Sequence, residues 1–312
     1  MNSTELLRKC REEFATLPAL SARLGQGYSG NGDLLAFAFN TKQAFKPSEG
    51  PTITTGIVYD RIEGGAANWF IFEEGGHPKE IGSLLQLINP AGHFLDDVAL
   101  VARSEVLNVL RPRAAARVGS PSPPDADHAA VFLAMGRDLA NGVIKLHPIT
   151  RRLDIEWGVP SNQPLYDAET RLATDIANVM GGNVAMNPLW RFLHIPVSVH
   201  NLGGCVMAET SDTGVTGPNG EVHNYPGLFV LDGAALPAAT GVNPSHTIAA
   251  VAERNVELFI RGLPGKAGWH SPQFALKTPV VDPLSSIVVP AGGTIPTQTQ
   301  SVGVQFTQTM KR

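Results

Sequence analysis

Two cysteines, Cys10 and Cys205, are all that the 312 residues contain, so a disulfide framework is excluded and a single bridge is left open. Charge is sparse as well. Asp, Glu, Lys and Arg make up 17% of the chain, the formal net charge is −4, and there is no basic run, which argues against nucleic acid as a partner. No apolar run approaches the roughly 20 residues a membrane-spanning helix needs. No signal peptide is visible, which makes the cytoplasm the expected location, although the chain opens abruptly on a helix with no strand before it. Internal repeats are missing, as are G-x-S-x-G and G-x-x-x-x-G-K-[ST], and with them any support for a hydrolase or a nucleoside-triphosphatase. His200, Cys205 and His223 lack the paired spacing of a structural zinc site, so no metal is expected.

What is present is 43% apolar residues, enough for a sizeable core in one domain or two, together with 32 Gly and 24 Pro, which imply many turns and long connections. Asn2 to Glu13 reads as a helix capped by Ser3 or Thr4. Gly25-Gln26-Gly27-Tyr28-Ser29-Gly30 spells G-x-G-x-x-G, yet it neither follows a buried strand nor opens a helix. It reads as a glycine-rich loop and not as a dinucleotide fingerprint. Leu34 to Phe39, Thr52 to Tyr59 and Trp69 to Phe72 read as strands, the last stopped by Glu73-Glu74-Gly75-Gly76. Glu80 to Leu110 has helical spacing, and Gly119 to Pro124 is a surface loop. Val131 to Met135 and Val143 to Leu146 flank Asn141-Gly142, a hairpin signal, and Leu153 to Trp157 makes a third strand. Leu165 to Met180 is an amphipathic helix ended by Gly181. The tail from Pro264 is Pro/Thr/Gln-rich without periodicity.

The stretch from Pro196 to Ile260 organises the rest. Leu228 to Leu231, between Gly227 and Gly233, reads as a strand buried on both faces, with Asp232 at its carboxyl end, where open α/β sheets place ligands. Asn243 is a good N-cap and Pro244 suits the first position of a helix running on through Ile248, Val251, Val256 and Ile260. Such a helix start favours a developing negative charge. His200 and Asn243 stand on either side of this unit. An imidazole titrates near neutrality and can hold or accept the proton of an alcohol.

His200-Asn201-Leu202-Gly203-Gly204-Cys205, Leu228-Phe229-Val230-Leu231-Asp232-Gly233 and Gly241-Val242-Asn243-Pro244-Ser245, in that order, resemble the carboxyl-terminal signature of the glucose-methanol-choline (GMC) oxidoreductases, most nearly the cholesterol oxidase branch. The resemblance implies FAD as cofactor and oxidation of the CH–OH group of an alcohol, sterol-like in this branch, with hydride passing to flavin N5. It implies catalytic roles for His200, Asn243 and Glu73, the last placed like the glutamate that moves a proton during double-bond isomerisation. Adjacent Glu74 leaves the register open. It implies flavin contacts from Asp232, Gly233, Asn243, Pro244, Ser245, Gly203, Gly204 and Asn31, with Asp33 in the same flavin-side loop. It implies an incomplete FAD-binding α/β domain joined to an α+β, antiparallel-sheet substrate domain with helices. Residues 1–50 and 196–263 would belong to the first, 51–195 to the second, and 264–312 form an irregular tail. Asn201 departs from the signature, which has Pro there. The adenosine-binding strand-turn-helix has no counterpart, so a missing amino-terminal segment is an expected partner. The alternative is a non-catalytic fragment or interaction module that keeps the fold without the chemistry.

Overall fold

The computed structural model describes residues 1–63, 66–77 and 126–271. Met1–Trp269 form one compact unit and His270–Arg312 a second, of which only His270 and Ser271 are described. The helix read over Glu80 to Leu110 and the loop at Gly119 to Pro124 lie outside the described residues, as does the tail beyond Ser271. Helices and antiparallel sheets make up the first unit, a mixed architecture as the sequence implies.

The larger sheet has five strands in the order β3 (Gly56–Glu63), β4 (Ala66–Gly75), β5 (Ala129–Gly136), β2 (Leu34–Phe39), β8 (Asn183–Met186), with every pair antiparallel. Alternation along a strand sends successive side chains to opposite faces. On one face Leu34, Ala36, Ala38, Phe70, Phe72, Ala130, Phe132 and Ala134 pack against Leu165, Tyr166, Ala168, Ala173 and Ala177 of helix α2 (Gln163–Val179). Alanines on both partners let the helix lie close to the strands, and Phe70, Phe72 and Phe132 fill what the small residues leave. Phe37, Phe39, Ala129, Val131 and Ala185 are buried on the other face.

The smaller sheet runs β1 (Gln26–Tyr28), β6 (Gly142–Leu146), β7 (Leu153–Glu156), and α1 (Asn2–Glu12) lies against β6. A second core collects Leu7, Leu20, Leu24, Cys205, Val215, Val222, Val230, Ala234 and Ala235. The last two helices are α3 (Pro188–Leu193) and α4 (Ser245–Gly262).

Several expectations need correcting. Asn141-Gly142 does not close a hairpin, because β5 and β6 belong to different sheets and the chain crosses between them there. The Asn141 amide donates to Ser161 Oγ, and Asp138 accepts the Ala140 N–H to turn the connection. Leu228 to Leu231 is no ladder strand, since Glu221 and Phe229 form a single bridge and only Val230 of the four is fully buried. Ser3 and Thr4 do not cap α1. Ser3 Oγ donates to Asp232, while Thr4 is buried against Cys205 Sγ at 3.4 Å. The strand read from Trp69 does not stop at Glu73 but pairs on through Gly75. The strand expected from Thr52 begins at Gly56. The glycine-rich reading of Gly25 to Gly30 holds: β1 runs into a turn, and no helix opens after it.

Candidate active site

The loop Gly30–Asp33, between β1 and β2, holds two separate segments of the chain. Asn31 adopts φ +58°, a left-handed conformation that asparagine tolerates better than most residues, and is fully buried. Its Oδ1 accepts from Thr240 N (2.9 Å), Thr240 Oγ1 (3.0 Å) and Gly241 N (2.9 Å), and its Nδ2 donates to the Val242 carbonyl (3.0 Å). One carboxamide thus fixes the three residues before Asn243. Asp33, also fully buried, does the same for the segment that ends at His200. Its Oδ2 accepts from Val199 N (2.9 Å) and His200 N (3.2 Å), and its Oδ1 lies 3.0 Å from His200 Nδ1.

Glu73 reaches the same place from β4. Phe70 and Phe72 point toward α2, so Glu73 projects from the opposite face and is buried. Asn243 Nδ2 donates to Glu73 Oε1 (2.9 Å) and Oε2 (3.0 Å). Glu74 turns the other way and accepts from Thr54 Oγ1, which separates the two carboxylates that spacing alone left ambiguous. The His200 pKa is raised, first by its hydrogen bond to Asp33, against the opposing effect of burial. The Asp33 and Glu73 charges and the Asn243 carboxamide add to the rise. His200, Asn243 and Glu73, more than a hundred residues apart at the extremes, therefore meet, with Asp33 behind the imidazole.

The N-cap expected of Asn243 is not formed. Pro244 takes that position without a side-chain cap bond, and the Asn243 amide is spent on Glu73. The first-turn amides of Ser245, His246 and Thr247 are left without a side-chain cap at the start of an 18-residue helix. Such amides fit the electron-rich edge of a flavin, and Asn243 sits beside them. The other residues expected near a flavin are held within the chain. Asp232 is exposed, accepts from Ala234 N at 2.8 Å and receives Ser3 Oγ. The Gly233 carbonyl accepts from Gly203 N. A Cβ at Gly203 would stand 1.9 Å from the Gly27 carbonyl oxygen and one at Gly204 2.5 Å from Thr4 Oγ1, so protein packing alone demands both glycines.

The partners of three features were not legible in the sequence. Trp69 carries the Arg137 guanidinium 4.4 Å above its ring and abuts Gly241, so it braces the turn leading to Asn243. Asn201, in place of the signature proline, accepts the Tyr28 hydroxyl at 2.6 Å and so pins the chain after His200. Tyr28, Trp157, Ile195, Pro196, Ser198 and Asn201 line a cleft bordering that segment. Among the described residues no group of three or more His, Cys, Asp or Glu could hold a metal. No described helix is long and apolar enough to cross a membrane.

Residues 157–252 match the model of the GMC oxidoreductase family. Over 90 residues the chain is 43% identical to cholesterol oxidase of Mycobacterium tuberculosis, a match covering 28% of this chain and 14% of that relative. Over 55 residues it is 47% identical to long-chain-alcohol oxidase FAO4B of Arabidopsis thaliana, covering 18% and 7% of the two chains. The crystal structure of pyridoxine 4-oxidase from Mesorbium loti aligns with a TM-score of 0.42 at 14% identity, over 77% of this chain and 44% of that one. The stretch that matches the GMC oxidoreductase model thus contains both His200 and Asn243, and the chain spans about a seventh of the length of the cholesterol oxidase it resembles.

Proposed function

We propose that the chain supplies the substrate side and the flavin-edge side of an FAD-dependent oxidoreductase acting on the CH–OH group of a sterol-like alcohol. The observation that carries this reading is the meeting of His200, Asn243 and Glu73, joined by the Asn243–Glu73 bonds at 2.9 and 3.0 Å. Residues 1–50 and 196–263 would lie with the cofactor and 51–195 would enclose the substrate. Ser245, Pro244, Asn243, Asp232 and Gly233 would form the cofactor side, with the buried Asn31, Gly203 and Gly204 holding it from behind.

When bound, FAD supplies the acceptor for a hydride, at N5. The chain's own residues handle the rest. His200, in its neutral form, takes the hydroxyl proton of the alcohol as the carbon loses its hydride and the C–O bond becomes a carbonyl. The Asn243 carboxamide, which faces the ring, would orient the same oxygen once the alcohol displaces its bonds to Glu73. Glu73 would remove a proton from the carbon beside the new carbonyl and return it at the far end of a β,γ double bond, which moves that bond into conjugation.

The test adds FAD to the purified chain and follows visible flavin absorbance. It then follows the bleaching of that absorbance by a sterol alcohol without oxygen. Binding and bleaching support the reading, and His200→Gln should slow bleaching by about 10²- to 10⁴-fold, the range for a lost general base. A chain that stays colourless with FAD would instead favour a non-catalytic module.

A further inference from the structure

We infer that Asp33 is a positioning residue for His200: its buried carboxylate grips the imidazole at Nδ1 and the backbone at the same residue, so that Nε2 is the nitrogen presented to Asn243 and to a bound alcohol. The relevance to catalysis rests on the alcohol-oxidation reading, but the geometry does not.

Asp33 is fully buried, and the charged form of a buried carboxylate needs partners. Those partners all come from one short segment. Oδ2 takes the amides of Val199 and His200 and a contact from Ser198 Oγ at 3.2 Å, while Oδ1 takes the ring. If the carboxylate served only to cap the 198–200 turn, the amides would satisfy it, and the ring nitrogen would have no reason to face it. Among the described residues His200 is the one basic group paired with Asp33. With Nδ1 committed, the ring cannot flip without breaking its bond to Asp33. A neutral imidazole must then carry its proton on Nδ1 and leave the Nε2 lone pair free to accept one. The groups facing the ring are Asp33 from the loop before β2, Glu73 from β4 and the uncharged Asn243 ahead of α4.

The experiment is nitrogen-15 NMR of the imidazoles in the purified full chain, with His200 assigned by the resonance lost in His200→Gln. The neutral ring should show a protonated Nδ1, and its titration midpoint should lie above that of a free histidine. Asp33→Asn removes the charge, and its amide nitrogen replaces one of the two accepting oxygens, against either the ring or the Val199 and His200 amides. It should therefore lower the ring's proton affinity about tenfold or more. Asp33→Ala should lose both effects. An Nε2-protonated ring in the unaltered chain would overturn the proposal even if neither variant folds. An unmoved midpoint in a folded Asp33→Asn would overturn it too. No flavin or alcohol enters the measurement, so failure of the FAD test leaves this result standing, and the reverse also holds.

Discussion

Asn243 has one carboxamide and two claims upon it. Its position before Pro244 and a long amphipathic run marks it as a cap, and the residue types support that. The structure gives the amide to Glu73 instead, because a buried carboxylate paired with no Lys or Arg among the described residues gains more from two N–H···O contacts than an open helix end does from one. Asn243→Ser separates the two roles. Serine caps as well as asparagine but is too short to reach Glu73. The substitution should lower the unfolding free energy by about 1–3 kcal/mol, the cost of stranding a buried polar group. A chemical denaturation curve unchanged by Asn243→Ser would mean that the cap dominates. The residue types of the site were legible in the sequence, whereas their partners were not. Asn31 and Asp33 could be read as flavin-side residues, but nothing in the spacing says that Asn31 holds Thr240 to Val242 or that Asp33 holds His200.

At the scale of elements, the turn Thr240–Val242 is the part that has no slack. Gly241 has φ +71°, and a Cβ there would stand 2.6 Å from the Trp69 ring and 3.0 Å from Arg137 Cγ. Gly241→Ala should therefore cost about 2 kcal/mol or more, combining left-handed strain with overpacking. It should also displace Asn243, so that thermal melting and flavin bleaching decline together. Intact stability in that variant would show that Trp69 can move aside. Elements carrying their own periodicity were legible: α1, α2, α4, β2 and β7 fall within a few residues of expectation. Elements that depend on distant neighbours were not. Val131 to Met135 and Val143 to Leu146 have sound strand patterns around a sound turn, yet β5 is taken by β2 and β4 and β6 by β1 and β7. Leu228 to Leu231 has the apolar content of a central strand, but no described strand lies alongside it to supply a ladder.

Across the whole molecule, buried charge sets the response to pH. Glu169 on α2 is fully buried, and among the described residues neither carboxyl oxygen has a hydrogen-bond partner. Desolvation first, and the Asp33 and Asp138 charges second, hold its pKa well above the usual carboxylate range. An acid whose pKa rises on folding favours the folded state below its unfolded pKa and loses that contribution as pH climbs toward the folded one. His200 also has a raised pKa, so its share is present below the ordinary histidine value and is lost as pH passes the raised one. Both effects slope the same way. Unfolding free energy should fall from about pH 5 into the alkaline range, more steeply than in Glu169→Gln, which should be more stable than the parent above neutrality. Denaturation midpoints at several pH values check this, and parallel curves for the two proteins would show that Glu169 is not the source.

Asn31 and Asp33 are separated by a single residue, yet one steadies the segment bearing Asn243 and the other the segment bearing His200. Both segments are therefore gauged from one origin. Lengthening or shortening that tripeptide would shift both at once.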